Sequence, residues 1–518
     1  MGNAFFGCFN LQSVYATSVL PISIGQDAFS TWKTATLYVP KDDDTDWNTT
    51  YYAYYWDTQW SQFATIKGWK PTYDYFYVDG EYEMETGEIP GTGEKNPDAD
   101  FGKESGFIVD EDAEQGMGEV NVDSDGESGG SIIAQGGTES SDEGNVTAEK
   151  LNIKIQVNSG RWYFFSFPYD IPQTGITCNA NYVFRLYDGE ERANGSSGWK
   201  NVTSTEDEYL KAGMGYIFQC DQNTELILTV DNPKFNGKDK KTGLDEAKGE
   251  STNAQDANWN FVGNPFLSYF NMDDINYNCP ITVWNGSSYE AIRPGDDDYS
   301  FHPFQAFFVQ KPEGVADIEF LADGRETKTQ SEKNQNEAKA RRMTRKASAN
   351  RQLINLEISD GQNIDKTRVV FNQAKADAYE TDCDAAKFMS TEAVPQIYTL
   401  DSKGVKYAIN ERPDGNVKIG YEVKAEGLFT ISAMRMEKAV SLLDKETGEL
   451  VSLDEPFTFS SKAGVFNDRL ELVIGNPTDI KAVGTDIKTA DSFNLNGVRT
   501  NAGEKGIIIS DGKKHLNK

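Results

Sequence analysis

Only two histidines occur in the 518 residues, His302 and His515, and any Ser-His-Asp or Cys-His arrangement has to use one of them. His302 lies in Phe301-His302-Pro303-Phe304, an aromatic strand pattern in which a hydrogen-bonded core histidine is the ordinary outcome, and His515 lies in the terminal tail. No P-loop, no G-x-G-x-x-G following a strand and no H-E-x-x-H occurs. Carboxylate pairs suited to sugar hydrolysis are available among 82 acidic residues, yet nothing singles one out. The five cysteines (Cys8, Cys178, Cys220, Cys279, Cys383) form no CxxC pair, which excludes a conventional zinc site. They leave open either one disulfide or buried free thiols. Asp110-Glu111-Asp112 and Asp123 with Asp125 could offer oxygens to calcium, but their spacing is not that of an EF-hand loop and a solvated acidic face is expected. The chain therefore reads as a non-enzyme without cofactor or metal. The remaining chemistry is aromatic: Trp199, Trp284 and Tyr289 are candidate carbohydrate-binding rings, weighed against the commoner role of strand aromatics as core.

The elements that must hold these rings are β-strands. Aromatics make up 12% of the chain and Gly numbers 46, a composition suited to strands and turns. The net charge of −32 repels phosphate backbones and anionic lipid, so nucleic acid is excluded as a partner. No run approaches the ~20 apolar residues of a transmembrane helix. No Lys or Arg precedes Lys33, so no signal peptide is read at the start.

Residues 1–70 carry a repeat. Ala4-Phe5 returns as Ala28-Phe29, and Ser13-Val14-Tyr15 returns as Thr36-Leu37-Tyr38, a period of 23–24 that marks a solenoid. Ala4 to Cys8 with Leu11 to Tyr15 resembles the BspA-type leucine-rich repeat. Ala35 to Pro40, Tyr51 to Trp60 and Phe63 to Ile66 resemble that family's closing unit. One period is fewer than a solenoid needs, so more repeats are expected upstream of Met1. Residues 71–150 follow as an acidic, Gly-rich strand and linker region. Its stretch from Thr92 to Lys150 holds 16 acidic and 3 basic residues, and mostly loop is expected, with edge strands at Phe107 to Val109 and Ile132-Ile133.

A duplication follows. Trp162 to Pro168 (W-Y-F-F-S-F-P) matches Trp259 to Pro265 (W-N-F-V-G-N-P), and Phe184 to Gly189 matches Ile281 to Gly286, both at an offset of 97 residues. Gly213 to Phe218 corresponds to Phe304 to Val309 at a shorter offset. Each copy reads as a strand, a proline exit, a hairpin at Asp188-Gly189 or Asn285-Gly286, and a closing aromatic strand. The expected β modules are 151–235 and 236–324. Phe167-Pro168-Tyr169-Asp170 resembles a motif of large exported bacterial proteins, and Gly263 to Phe266 resembles the Gly-Asn-Pro-Phe motif found before type IX sorting domains. A basic linker (325–351) leads to a β-sandwich (352–476), with a short helix expected within Ala374 to Met389. The run Gly464 to Leu470 resembles the end of domains that precede a type IX sorting region. In residues 477–518, Asn496, Gly497, Gly506, Gly512, Lys513 and Lys514 mark what is similar to a type IX sorting motif, which implies export machinery as a partner.

The fold class is thus mainly β: the end of a leucine-rich-repeat solenoid followed by tandem β-sandwich-like modules. The expected function is non-enzymatic adhesion or protein interaction at the cell surface, toward a host or bacterial surface protein or glycan. The alternative is a carbohydrate-binding surface module of a glycan-uptake system. Deleting 490–518 is expected to leave the upstream domains folded while lowering surface display; equal surface labelling of truncated and full-length protein would contradict the sorting role.

Overall fold

A computed structural model of the chain describes residues 98–109, 115–136, 146–203, 209–249, 253–332 and 350–475. It also describes shorter pieces at 13–16, 33–40, 49–69, 75–78, 334–335, 492–494, 499–500, 506–510 and 513–517, and residues 21, 24, 28 and 29. The fold is β-rich, with several small sheets and one near-closed barrel.

Strands Ser13–Tyr15, Thr36–Pro40 and Thr65–Trp69 pair in parallel, with Ser13 opposite Thr36 and Thr36 opposite Thr65. Leu37, Val39 and Tyr54 are buried beneath them. Residues 75–157 then alternate between two parallel ladders. One joins Tyr75–Val78, Gly106–Val109 and Ser131–Ala134; the other joins Ala99–Phe101, Gln115–Ser124 and Val146–Val157. More of the acidic stretch is strand than its composition suggests. Val120 and Val122 point inward with no exposure. Glu119, Asn121 and Asp123 point outward, where the Asn152 amide donates to Glu119 (2.8 Å) and Asn121 (3.0 Å). Period-two alternation keeps the acids on the solvent face and the valines in the core.

The strand Val146–Val157 belongs equally to the first module, pairing antiparallel with Thr224–Asp231. One core cluster therefore holds Val120 and Phe107 together with Leu151, Phe165, Phe184 and Phe218. The duplication shows in the strand order of the sheets. In the first copy a four-stranded sheet runs Tyr163–Ser166, Gly215–Cys220, Tyr182–Tyr187, Trp199–Asn201. In the second it runs Trp259–Gly263, Ala306–Gln310, Ile281–Trp284, Tyr289–Ile292. The companion sheets correspond as well: Val146–Val157, Thr224–Asp231, Ile176–Cys178 against Lys240–Gly243, Asp317–Phe320, Ile275–Asn276.

Two local expectations change. Asp188-Gly189 is not a hairpin turn. Asp188 caps the helix Gly189–Ala193, accepting the N–H of Glu190 at 2.9 Å and of Glu191 at 3.2 Å, as an aspartate at a helix start does. Residues 374–389 hold no helix; turns carry the chain to the short strand Ala385–Ala386, which pairs with Lys406–Arg412.

Residues 352–474 form one 11-stranded sheet whose larger core contains Ile354, Tyr421, Phe429 and Leu470, with a smaller cluster of Leu353, Val370, Ala385, Ala408 and Ile409 beside it. Its far edge approaches the strand Gly464–Ile474: Arg469 donates to the Ser460 carbonyl at 2.9 Å, and the Tyr421 and Ser461 hydroxyls bond at 3.1 Å. Beyond it, Ser492–Asn494, Arg499–Thr500, Gly506–Ser510 and Lys513–Asn517 pair antiparallel; Asn496, Gly497 and Gly512 lie outside the described residues.

The two copies meet by reciprocal contacts. The Ser166 N–H donates to the Phe304 carbonyl (2.9 Å), and Gly263, the counterpart of Ser166, donates to the carbonyl of Gly213, the counterpart of Phe304 (3.1 Å). Bridges Phe165–Gln305 and Met214–Val262 repeat the same exchange. Gly213 (φ +72°) and Phe304 (φ +67°) share the left-handed conformation, which is costly for a residue with a β-carbon. Phe304 is fully buried against Phe167, 6.1 Å between ring centres, in the first module's core. Phe304→Ala is expected to destabilise the module pair by about 3–5 kcal/mol. Phe304→Gly loses the same ring but relieves the backbone and should be the more stable of the two by about 1 kcal/mol. Urea unfolding measures this, and an alanine variant more stable than the glycine variant would refute the strain.

Candidate ligand crevice at the seam between the modules

The strands at the seam are aromatic on both faces. Tyr163 and Phe165 enter the first core, while Trp162 and Phe164 face the second module. Likewise Phe307 and Val309 enter the second core, while Phe308 faces back. The outer faces of the two four-stranded sheets therefore pack on each other. Trp199 lies edge-on to Phe261 at 5.4 Å, and Tyr187 edge-on to Phe308 at 4.8 Å. Gly215 and Gly263 allow this approach: a β-carbon would stand 2.5 Å from the Phe261 ring at the first and 2.3 Å from the Ser166 β-carbon at the second.

The three rings singled out from sequence all belong to this seam. Trp199 packs within it. Tyr289 lies 5.4 Å from Phe388, a barrel residue that also covers Trp259 at 4.6 Å. Trp284 stacks on Phe164 at 5.5 Å and borders a crevice of about 150 Å³. Only Trp284 of the three lines that crevice, with Arg161, Trp162, Tyr299 and His302. Strand aromatics are the signal for these neighbours; what sequence could not supply is which outer faces meet.

The turn Asn285 to Ser288 shapes one rim, the Asn285 side chain accepting the N–H of Ser287 at 3.1 Å and of Ser288 at 2.8 Å. On the other rim Arg161 lies over the Tyr163 ring at 5.0 Å and pairs with Glu127. Gly126-Glu127-Ser128-Gly129-Gly130 spells G-x-S-x-G. It is no nucleophile elbow, because it links two strands and the Ser128 hydroxyl donates to Asp125 at 3.0 Å. Asp125 also holds Lys103 at 2.7 Å, which with those hydrogen bonds outweighs the effect of burial and keeps its carboxyl well below the usual range.

Elsewhere among the described residues, one group of side chains comes close enough together to hold a metal ion. Glu380, Asp382 and Cys383 approach one another, but the Lys375 ammonium lies 2.9 Å from both carboxylates and supplies their counter-charge. Cys178, Cys220, Cys279 and Cys383 are free thiols, and burial pushes Cys279 up to about 11. No helix among the described residues is long and apolar enough to cross a membrane. No family model matches the chain, and no curated protein matches it.

The second module is fastened to the barrel by ions. Arg351 grips Asp296 (2.5 and 2.6 Å), Arg368 grips Asp297 (2.8 and 2.5 Å), and Arg293 reaches Glu411 at 3.0 Å. Burial alone would raise the Asp296 carboxyl, but the Arg351 hydrogen bonds hold it low. Beside this network, burial and then the neighbouring Glu380 and Glu411 push Asp384 up to about 8, against the backbone N–H groups it accepts. Its unfolded value is near 4. The folded state therefore binds more protons between the two values. The stabilisation is complete below about pH 4 and is lost as pH rises toward 8. Asp384→Asn cannot titrate, so its melting temperature relative to the parent should climb from about pH 5 to about pH 8; a constant difference would contradict the raised carboxyl.

Proposed function

We propose that this chain is a non-enzymatic secreted or cell-surface protein for adhesion or protein interaction, in which the modules and the barrel act as stalk and anchor. The observation that carries the reading is the pair of fastenings along the chain. The modules exchange reciprocal hydrogen bonds through Gly213 and Phe304, and the second module is clamped to the barrel by Arg351–Asp296 and Arg368–Asp297. Side chains that could form a flat aromatic platform are instead spent on packing. In this reading the parallel strands of 13–69 close a leucine-rich-repeat array, the two sheets of each module form a β-sandwich, and the terminal strands engage export machinery. The net charge of −32 keeps such a protein soluble and apart from its neighbours.

Cells displaying the intact chain should bind an immobilised epithelial surface several-fold more than cells without it, and equal binding would overturn the adhesive role. Asp296→Lys combined with Asp297→Lys should broaden the small-angle scattering distance distribution by loosening the barrel; an unchanged distribution would remove the stalk argument.

A further inference from the structure

The two halves of the aromatic seam are treated differently. Trp259 is only 2% exposed, covered by Phe388 and by the Arg192 guanidinium, 5.3 Å from its ring centre. Its duplicate, Trp162, is part-buried, has Arg185 at 4.9 Å, and lines the crevice instead of being sealed by the barrel.

The crevice also carries unmatched polar groups. The Trp284 indole Nε1 is buried without a hydrogen-bond partner, an expensive state for a donor. His302 Nδ1 lies 2.9 Å from the Pro303 carbonyl. A carbonyl only accepts, so Nδ1 carries the proton. Burial lowers the His302 pKa, so the ring is neutral, and Nε2 is an acceptor with no partner among the described residues. The Tyr299 oxygen accepts from Gln305 at 2.7 Å, and burial pushes its phenol up to about 12, which keeps the O–H as a donor. At the mouth, Arg161 and Glu127 cancel each other's charge.

These features specify an occupant. A hollow of about 150 Å³ accommodates one six-membered ring, the size of an engineered cavity that holds benzene. An apolar ring would leave His302 Nε2 unmatched, and an ion would find no net opposite charge. A ring that carries hydroxyls around its rim and C–H groups on its faces satisfies both the polar groups and the aromatic walls. We propose that the crevice between Trp162, Phe164, Trp284, Tyr299 and His302 binds a single neutral pyranose ring, free or at the end of a glycan. This site goes beyond the stalk reading and does not depend on it.

The test uses the intact chain, tryptophan fluorescence and saturation-transfer NMR. The probes are the methyl α- and β-pyranosides of glucose, galactose, mannose and N-acetylglucosamine, the free sugars, and benzene. At least one methyl pyranoside should bind saturably, with Kd on the order of 1 mM. Preference for the methyl glycosides over the free sugars assigns the end of a glycan, and equal affinity assigns a free monosaccharide; both sustain the site. Trp284→Phe, which shortens the aromatic wall, should weaken binding about tenfold. Tyr299→Phe, tested by the same titration, gives an independent loss. Trp199→Phe, outside the crevice, should leave affinity unchanged. Absence of saturable binding by every sugar, full affinity in both crevice variants, or binding of benzene alone would overturn the proposal. Cell adhesion of the displayed Trp284→Phe chain reads the stalk function separately.

Discussion

Sheets packed face to face usually stand about 10 Å apart, but here the two modules touch backbone to backbone where they cross, and that closeness is provided by glycine and by one strained phenylalanine. Gly215 and Gly263 remove the β-carbons that would collide with Phe261 and Ser166. Gly213 and Phe304 take the same left-handed turn, so that each module offers a carbonyl to the other's strand end. At Phe304 the backbone cost is offset by burying a full aromatic ring in the neighbouring core. The aromatic seam, the placement of Trp284 and the crevice beside it all follow from this crossing.

The barrel breaks the symmetry that duplication creates. Its residues Ala386 and Phe388 cover one side of the seam, and Phe388 fills the space over Trp259. Ion pairs hold it there, Arg351 and Arg368 each forking onto a carboxylate of the second module. Such pairs are geometrically demanding, and breaking one leaves a buried charge unmatched. Among the described residues the first module has no equivalent ionic clamp to the barrel, and the crevice lies on its side.

Much was legible from residue order. The offset of 97 residues marked the duplication, and the matching of Gly213 to Phe304 aligned two positions that share a positive φ. The run W-Y-F-F-S-F carries a further signal: aromatics at consecutive positions, without polar alternation, belong to a strand covered on both faces. In the acidic stretch the alternation Glu119-Val120-Asn121-Val122-Asp123 is a strand pattern, masked there by the count of acids. Asp188-Gly189 misled because the same dipeptide suits a tight hairpin and a helix cap, and only the space between Ala247 and Trp259 selects the cap.

By itself, the sequence determined a mainly β chain, strongly acidic, internally duplicated and short of histidine chemistry, because composition and local periodicity are properties of neighbouring residues. Only the tertiary structure decided that Trp199, Trp284 and Tyr289 face another module, that Asp296 and Asp297 meet arginines far along the chain, and that Trp259 is sealed while Trp162 is not. Those outcomes depend on which sheet faces meet, and that is set by contacts between residues distant in sequence, for which no local pattern carries the information.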